Sequence, residues 1–289
     1  MLEKFLSQVR DQIYANMKIS IGDSNDIENA MNYSALSESK MIRAGLIFAS
    51  GKINKNISDN SILTLATAIE LIHTYSLIHD DLPCMDDDDL RRGKESCHIK
   101  FGEANAVLAG DALQTLAYEI VCDDINLKSE EKIDSLKLIS SACGKNGMVY
   151  GQFLDIENES KKINLKTIEN IHSLKTGKLI ECAVMLGQIG NNDIKQNSAL
   201  KEFGKKIGLA FQITDDILEV TSDKNILGKN INSDSKNGKS TYIKVLGIDA
   251  AIKRSNELTE SAILDILSLK LKDTDMLVEL AKYISYREK

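Results

Sequence analysis

The sequence predicts an all-α fold, a single helical bundle with fully buried helices at its centre. Three observations carry this. The 289 residues contain one proline, Pro83, where ordinary usage of roughly 5% would place about a dozen. Proline is excluded from helix interiors, so its scarcity favours long helices over the many turns of a sheet protein. Second, three segments are apolar on nearly every side, as helices are in the middle of a large fold. Third, the other segments repeat apolar residues at helical spacing. Short polar breaks separate them, with no Gly/Ser/Pro linker and no internal repeat, so one domain over residues 1–289 is expected.

Residues 1–20 read as an amphipathic helix, followed by a break at 22–25 and another at 54–60. Residues 61–79 form the first all-apolar helix. Residues 103–121 form the second, where Ala104, Ala106, Ala109, Gly110, Ala112 and Ala117 allow close helix approach. After a break at 123–128, residues 132–158 and 165–190 are amphipathic, separated at 159–164 and ended at 190–193. Residues 199–221 form the third apolar helix, with Phe203, Ile207, Ala210, Phe211, Ile213, Ile217 and Leu218 inward. A break over 223–239 precedes a last amphipathic stretch, 249–285.

The apolar fraction of 43% with 27% charged residues is enough to fill a core. A formal charge of −7 disfavours nucleic acid as a partner, because phosphate neutralisation needs a basic surface. Cys84, Cys97, Cys122, Cys143 and Cys182 are scattered with no C-x-x-C pair. Neither a disulfide framework nor a zinc site is indicated, and a reducing, cytoplasmic setting is expected. The first residues mix charge with apolar side chains, unlike a signal peptide. No apolar stretch of about 18 residues is read, so no membrane-spanning segment is expected.

The densest chemical signal is the run from His79 to Lys94, with six carboxylates between positions 80 and 89. An acidic run is most often a solvated turn. This one, however, caps the C-terminal end of a core helix, where the helix dipole opposes negative charge and a compensating cation is needed. Arg91, Arg92 and Lys94 follow at once. Carboxylates without a Cys/His cluster suit a hard cation such as Mg²⁺, held by one or two carboxylates plus substrate phosphates. An EF-hand is excluded because no glycine falls at the sixth position of the acidic frame. Asp80 and Asp86 lie six apart, on different faces of a straight helix. A break at Pro83 lets the chain bulge and return both to one metal.

The second signal runs from Gln212 to Glu219 on the third apolar helix. Asp215 and Glu219 share a face at i, i+4, and Asp216 is adjacent. Acids on a buried helix are costly unless paired or metal-bound. The plain alternative is ion pairing with Lys205, Lys206 or Lys229. Two acid-rich helices facing across a bundle core favour a metal site instead. Lys40, Arg43, Arg91, Arg92, Lys175, Lys178, Lys229 and Lys239 supply cations, and together these groups would clamp a phosphate or diphosphate. Gly238-Lys239-Ser240 is not a P-loop, since Ser233 stands where its first glycine belongs.

On these residues the chain resembles the trans-isoprenyl diphosphate synthases, in their bacterial form. Asp80-Asp81-x4-Asp86 is similar to the first aspartate-rich motif with two extra residues, and Leu90-Arg91-Arg92-Gly93 to the arginine pair after it. Phe101-Gly-Glu-Ala-Asn-Ala, Leu108 to Gln114, Lys175-Thr176-Gly177, Gln212-x-x-Asp215-Asp216, Leu227-Gly228-Lys229 and Gly238 to Tyr242 also match in order and spacing. The resemblance covers essentially the whole chain. It implies an isoprenoid synthase-type helical bundle around a central active-site cavity, a homodimer, and three Mg²⁺ ions, with Mn²⁺ a possible substitute. The implied reaction is head-to-tail condensation of isopentenyl diphosphate with dimethylallyl or geranyl diphosphate, giving a C15 product.

The same resemblance implies the roles. Asp80 and Asp86 hold two ions and Asp215 the third, supported by Asp81, Asp216 and Glu219. Arg91 binds the allylic diphosphate with Lys175, Lys229 and Lys239. Lys40, Arg43, His73 and Arg92 bind isopentenyl diphosphate. Thr176 and Gln212 face the allylic carbon. Tyr75, five residues before Asp80, floors the pocket as in C15 producers, and small Ser76 beside it leaves a C20 product open. Two features depart from the family. The Gly-Gly-Lys-Arg-x-Arg-Pro segment is Glu38-Ser39-Lys40-Met41-Ile42-Arg43-Ala44, and the last acid of the second motif is Glu219. The first departure motivates a further alternative, a catalytically silent subunit of a heteromeric synthase, although both acidic motifs are kept. A terpene cyclase takes no second substrate and has no need of Lys40, Arg43 and Arg92.

Overall fold

The structure, a computed structural model, describes residues 1–221 and 241–287. Apart from one two-stranded hairpin, its regular elements are helices. Helix α1 (Leu2–Ile21) is followed by α2 (Asp26–Ala35) and α3 (Ile42–Ile53), and α4 (Asp59–Asp80) runs through the centre. Ser58 caps α4 by accepting from the Ser61 N–H, and its apolar sides are covered by α3, α6 and α1. By length and composition α4 could cross a membrane, contrary to the expectation that no such stretch exists. Here it is a core helix, with Leu65, Ala66, Ala68, Ile69, Leu71 and Ile72 fully buried.

Beyond α4, strands β1 (Leu90–Arg91) and β2 (Lys94–Glu95) pair antiparallel, Leu90 with Glu95 and Arg91 with Lys94. Their two-residue turn has φ +55° at Arg92 and +76° at Gly93, the left-handed pair of the tight hairpin turn whose twist suits the strands. Then come α5 (Cys97–Phe101), α6 (Glu103–Asp123), α7 (Ser129–Cys143) and α8 (Met148–Glu157). Helix α6 is not buried all round as predicted: Val107 and Leu108 are exposed, and Ala106, Ala109, Leu113 and Ala117 form its inner stripe. The predicted 132–158 helix is two, broken at Gly144 and Gly147.

The predicted 165–190 helix also divides. Between α9 (Leu165–His172) and α10 (Lys178–Leu186), residues Ser173–Gly177 widen into a π-turn. Helix α11 (Ile194–Thr221) is continuous and packs on α10, α13 and α14. The C-terminal region holds α12 (Tyr242–Leu246), α13 (Ile248–Ser268) and α14 (Asp275–Tyr286). All five cysteines are free.

Candidate active site

Helix α4 ends at Asp80, and the chain turns back on itself through Pro83. The Asp86 N–H donates to the Asp80 carbonyl at 2.8 Å, and Met85 and Asp87 donate to Leu82. The bulge expected from Pro83 therefore exists and returns Asp86 beside Asp80. Asp81 turns the other way. It is 2% exposed and accepts from Arg91 Nε at 2.9 and 3.1 Å, and from Arg91 Nη2. Asp88 accepts from the same guanidinium at 3.2 Å. Burial works against the charge on Arg91, but the bond to Asp81 and the charges of Asp81, Asp88 and Asp80 more than offset it.

Opposite this corner, the π-turn carries Lys175 and Thr176. π-Bulges are rare and recur at functional sites. Helix α8 presses against this one: a Cβ on Gly151 would fall 2.2 Å from the Lys175 backbone nitrogen. Lys175 Nζ donates to Asp155 of α8 at 2.6 Å. Burial disfavours its ammonium, yet Asp155, Asp80 and Asp86 hold its pKa above the usual lysine value. Gly151→Ala must therefore push the α8 backbone away from the π-turn. Overpacking a core in this way typically costs about 1–3 kcal/mol, and denaturant unfolding should show a loss of at least that size. An unchanged midpoint would contradict the close approach.

Helix α11 supplies the third wall. Thr176 Oγ1 donates to Gln212 Oε1 at 2.8 Å, and Gln212 Nε2 donates to Asp216 Oδ1 at 3.1 Å. Asp216 Oδ2 accepts the Tyr242 backbone N–H at 2.8 Å, and Asp216 is 3% exposed. Asp215, one residue earlier, is 43% exposed in its side chain and pairs with Arg287. Of the lysines expected as the plain alternative, Lys205 and Lys206 pair elsewhere, and Lys229 lies outside the described residues. Lys205 pairs with Glu202 and Lys206 with Asp265.

These walls enclose one cavity of about 830 Å³. Asp80 and Asp86 line it from one side, Asp215, Asp216 and Glu219 from another. Lys40, Arg43, His73, Arg91, Lys175, Thr176 and Gln212 line it as well, as do Tyr75 and Ser76. Its apolar wall includes Leu77, Met148, Val149, Phe153 and Phe211. Asp81 and Arg92 stand behind Arg91, and Arg92 donates to the Ser37 carbonyl at 3.3 Å. Lys229 and Lys239 lie outside the described residues.

At the cation-rich end, burial, then the charges of Arg43, Arg92 and Arg91, drive the His73 pKa well down, so its imidazole is neutral. Buried Glu70, beneath Arg43, accepts the Ala44 N–H at 2.9 Å. Met41, where the resembling family has an arginine, is buried and starts α3 at φ +51°. Sequence reasoning missed Asp155, Glu70 and Arg287. The first two had a readable signal, since each is an acid on an otherwise apolar helical face. Arg287 had none.

A polyprenyl synthetase family model matches residues 24–284. A farnesyl diphosphate synthase of Escherichia coli (strain K12) is 45% identical over 269 residues, 91% of this chain and 90% of that one. An FPP/GFPP synthase from Zymomonas mobilis, solved without ligand, superposes with a TM-score of 0.88 at 34% identity, covering 98% of both chains. A geranyltransferase from Helicobacter pylori, solved with magnesium and isoprenyl diphosphate, gives 0.85 at 31% identity over 97% of this chain and 96% of that one.

Proposed function

The chain belongs to the polyprenyl synthetase family, and we propose that it joins isopentenyl diphosphate to dimethylallyl and then geranyl diphosphate, releasing diphosphate and forming farnesyl diphosphate. It is a prenyltransferase of all-α, isoprenoid synthase-type fold. One observation carries the reading: two acidic corners, a set of Lys and Arg side chains and a long apolar wall face one cavity.

The donor set fits Mg²⁺. Among the described residues no group of three or more His, Cys, Asp or Glu is already gathered around one point. Mg²⁺ does not need one, since it is held by one or two carboxylates and completed by substrate phosphate oxygens, and the carboxylates that line the cavity could supply these. Asp80 and Asp86 would hold the metal on one side and Asp215 on the other, with Asp216 and Glu219 in support; Asp81, expected to support the metal, turns away from the cavity and acts by fixing Arg91. Mg²⁺, when bound, offsets the negative charge that develops on the departing diphosphate.

The chain's own groups do the rest. Arg91, fixed by Asp81 and Asp88, and Lys175, fixed by Asp155, present oriented donors to the allylic diphosphate. Lys40, Arg43 and His73 hold isopentenyl diphosphate at the cation-rich end, and Arg92, expected to touch it as well, lies behind the cavity wall and adds only its charge. Thr176 and Gln212, locked to each other, face the carbon that loses the diphosphate. The apolar wall excludes water from the allylic cation, which would otherwise be quenched. The isopentenyl double bond attacks that cation, and the proton then lost leaves with the released diphosphate. The neutral His73 imidazole sits at the diphosphate-binding end.

The active unit is a homodimer acting in the cytoplasm, with no nucleic acid partner. A C20 product is the second reading, because the small Ser76 lines the cavity beside Tyr75. The test is to incubate the chain with Mg²⁺, isopentenyl diphosphate and dimethylallyl diphosphate, and to separate the dephosphorylated alcohols by length. A C15 alcohol is expected. A C20 alcohol selects the second reading, and no product with geranyl diphosphate supplied overturns both.

A further inference from the structure

Arg287 follows α14 directly, almost at the end of the chain, yet its side chain is only 4% exposed. Three contacts hold it. Nη1 donates to the Ile284 carbonyl at 2.8 Å, which caps its own helix. Nη2 donates to Asp215 Oδ1. The guanidinium lies over the Phe211 ring, 4.3 Å from the centroid, and Arg43 approaches the same ring at 5.8 Å. Arg287 thus stands between the second acidic corner and the cation-rich end of the cavity. Both Lys40 and Arg43 feel its charge and that of Asp215.

A buried guanidinium is tolerated when a carboxylate and stacking partners compensate it. Here the carboxylate is the one on α11 assigned to metal. Two cations bound to one carboxylate repel each other, so a divalent ion at Asp215 must displace or weaken the arginine. We propose that Arg287 is a positioning residue that occupies Asp215 in the absence of a divalent ion and sets how tightly the second acidic corner takes one. The inference rests on the metal reading above. It adds that the residue that follows the C-terminal helix is coupled to metal uptake through its contact with Asp215. Phe211 keeps the displaced guanidinium close to Lys40 and Arg43, so positive charge moves toward the other diphosphate site as the ion enters.

The test measures Mn²⁺ binding by the full chain in the presence of inorganic diphosphate, from the electron paramagnetic resonance signal of free Mn²⁺. Arg287→Gln should bind the weakest Mn²⁺ about five-fold more tightly than wild type, the effect of removing one competing charge in a partly solvated site. Arg287→Lys keeps the charge but loses the fork, and should shift the same way by less; it serves if the Gln variant does not fold. In an Asp215→Asn background the Arg287→Gln gain should vanish, since contacting pairs are non-additive. Unchanged or weaker binding in Arg287→Gln overturns the proposal, as does a gain that survives Asp215→Asn. A wild-type chain that takes up no Mn²⁺ with diphosphate overturns the metal reading and this proposal with it.

Discussion

Asp80→Ala should lower the rate of product formation by at least about a hundred-fold, the range for removing one preorganised electrostatic group, and leave the fold standing. Its neighbour should differ in that its loss also destabilises the fold. Asp80 lies at the C-terminal end of α4 and lines the cavity. Its backbone carbonyl, which alanine retains, holds the Asp86 turn. Removing an anion from a helix C-terminus relieves an unfavourable dipole interaction of about 0.3–1 kcal/mol, which offsets the lost attraction to Lys175. Asp81→Ala removes the closest partner of a nearly buried Arg91, leaving Asp88 and the more distant charge of Asp80, and breaking a buried pair in this way costs about 3–5 kcal/mol. Steady-state assays and denaturant unfolding on both variants separate the two. If Asp80→Ala keeps near-wild-type activity, or if Asp81→Ala unfolds at the wild-type midpoint, the division of labour between these adjacent acids is wrong.

That division was only half legible in the sequence. The identity of the acids, the helix beneath them and the return through Pro83 all followed from local rules: an all-apolar helix, a dipole that opposes anions, a break where proline falls. Which of two adjacent aspartates faces the cavity did not, because it depends on where the β1–β2 hairpin carries Arg91. The same limit governed the helices. The break between α7 and α8 has a local mark in Gly144 and Gly147, which the reading of 132–158 as one helix passed over, whereas the turn before α14 has left-handed residues at Lys270 (φ +52°) and Asp273 (φ +64°) with no glycine or proline to mark it. Helix α3 contains Gly45 and Gly51, which weaken helix propensity, so nothing local recommends it. In the fold these glycines are contact points: a Cβ on Gly51 would lie 2.5 Å from the Ile62 side chain, and one on Gly45 2.9 Å from Leu6. Tertiary approach decides them. The π-turn that presents Lys175 and Thr176 likewise packs against Gly151 of α8, a contact invisible in a one-dimensional period.

Tyr75→Ala should lengthen the product, from C15 to C20 or beyond, while Tyr75→Phe keeps C15. Tyr75 lies five residues before Asp80 on one helix, about 7.5 Å along the axis, and lines the same cavity. A chain growing away from a diphosphate held near Asp80 meets the ring at a depth fixed by that helix rather than by a loop. The ring is held by an edge-to-face contact with His79, with centroids 5.8 Å apart, and is 5% exposed. Alanine removes about seven heavy atoms, more than the five carbons of one further unit, and leaves a space of the kind that large-to-small core changes open. The space is continuous with the cavity, so a longer product can fill it where an enclosed void would stay empty. Phenylalanine keeps the ring and drops only the hydroxyl, whose ionisation burial already pushes upward. Resolving the dephosphorylated alcohols of the three proteins by length decides the matter. Should Tyr75→Ala still stop at C15, the floor lies elsewhere on the cavity wall, and Tyr75 does not set the length of the product.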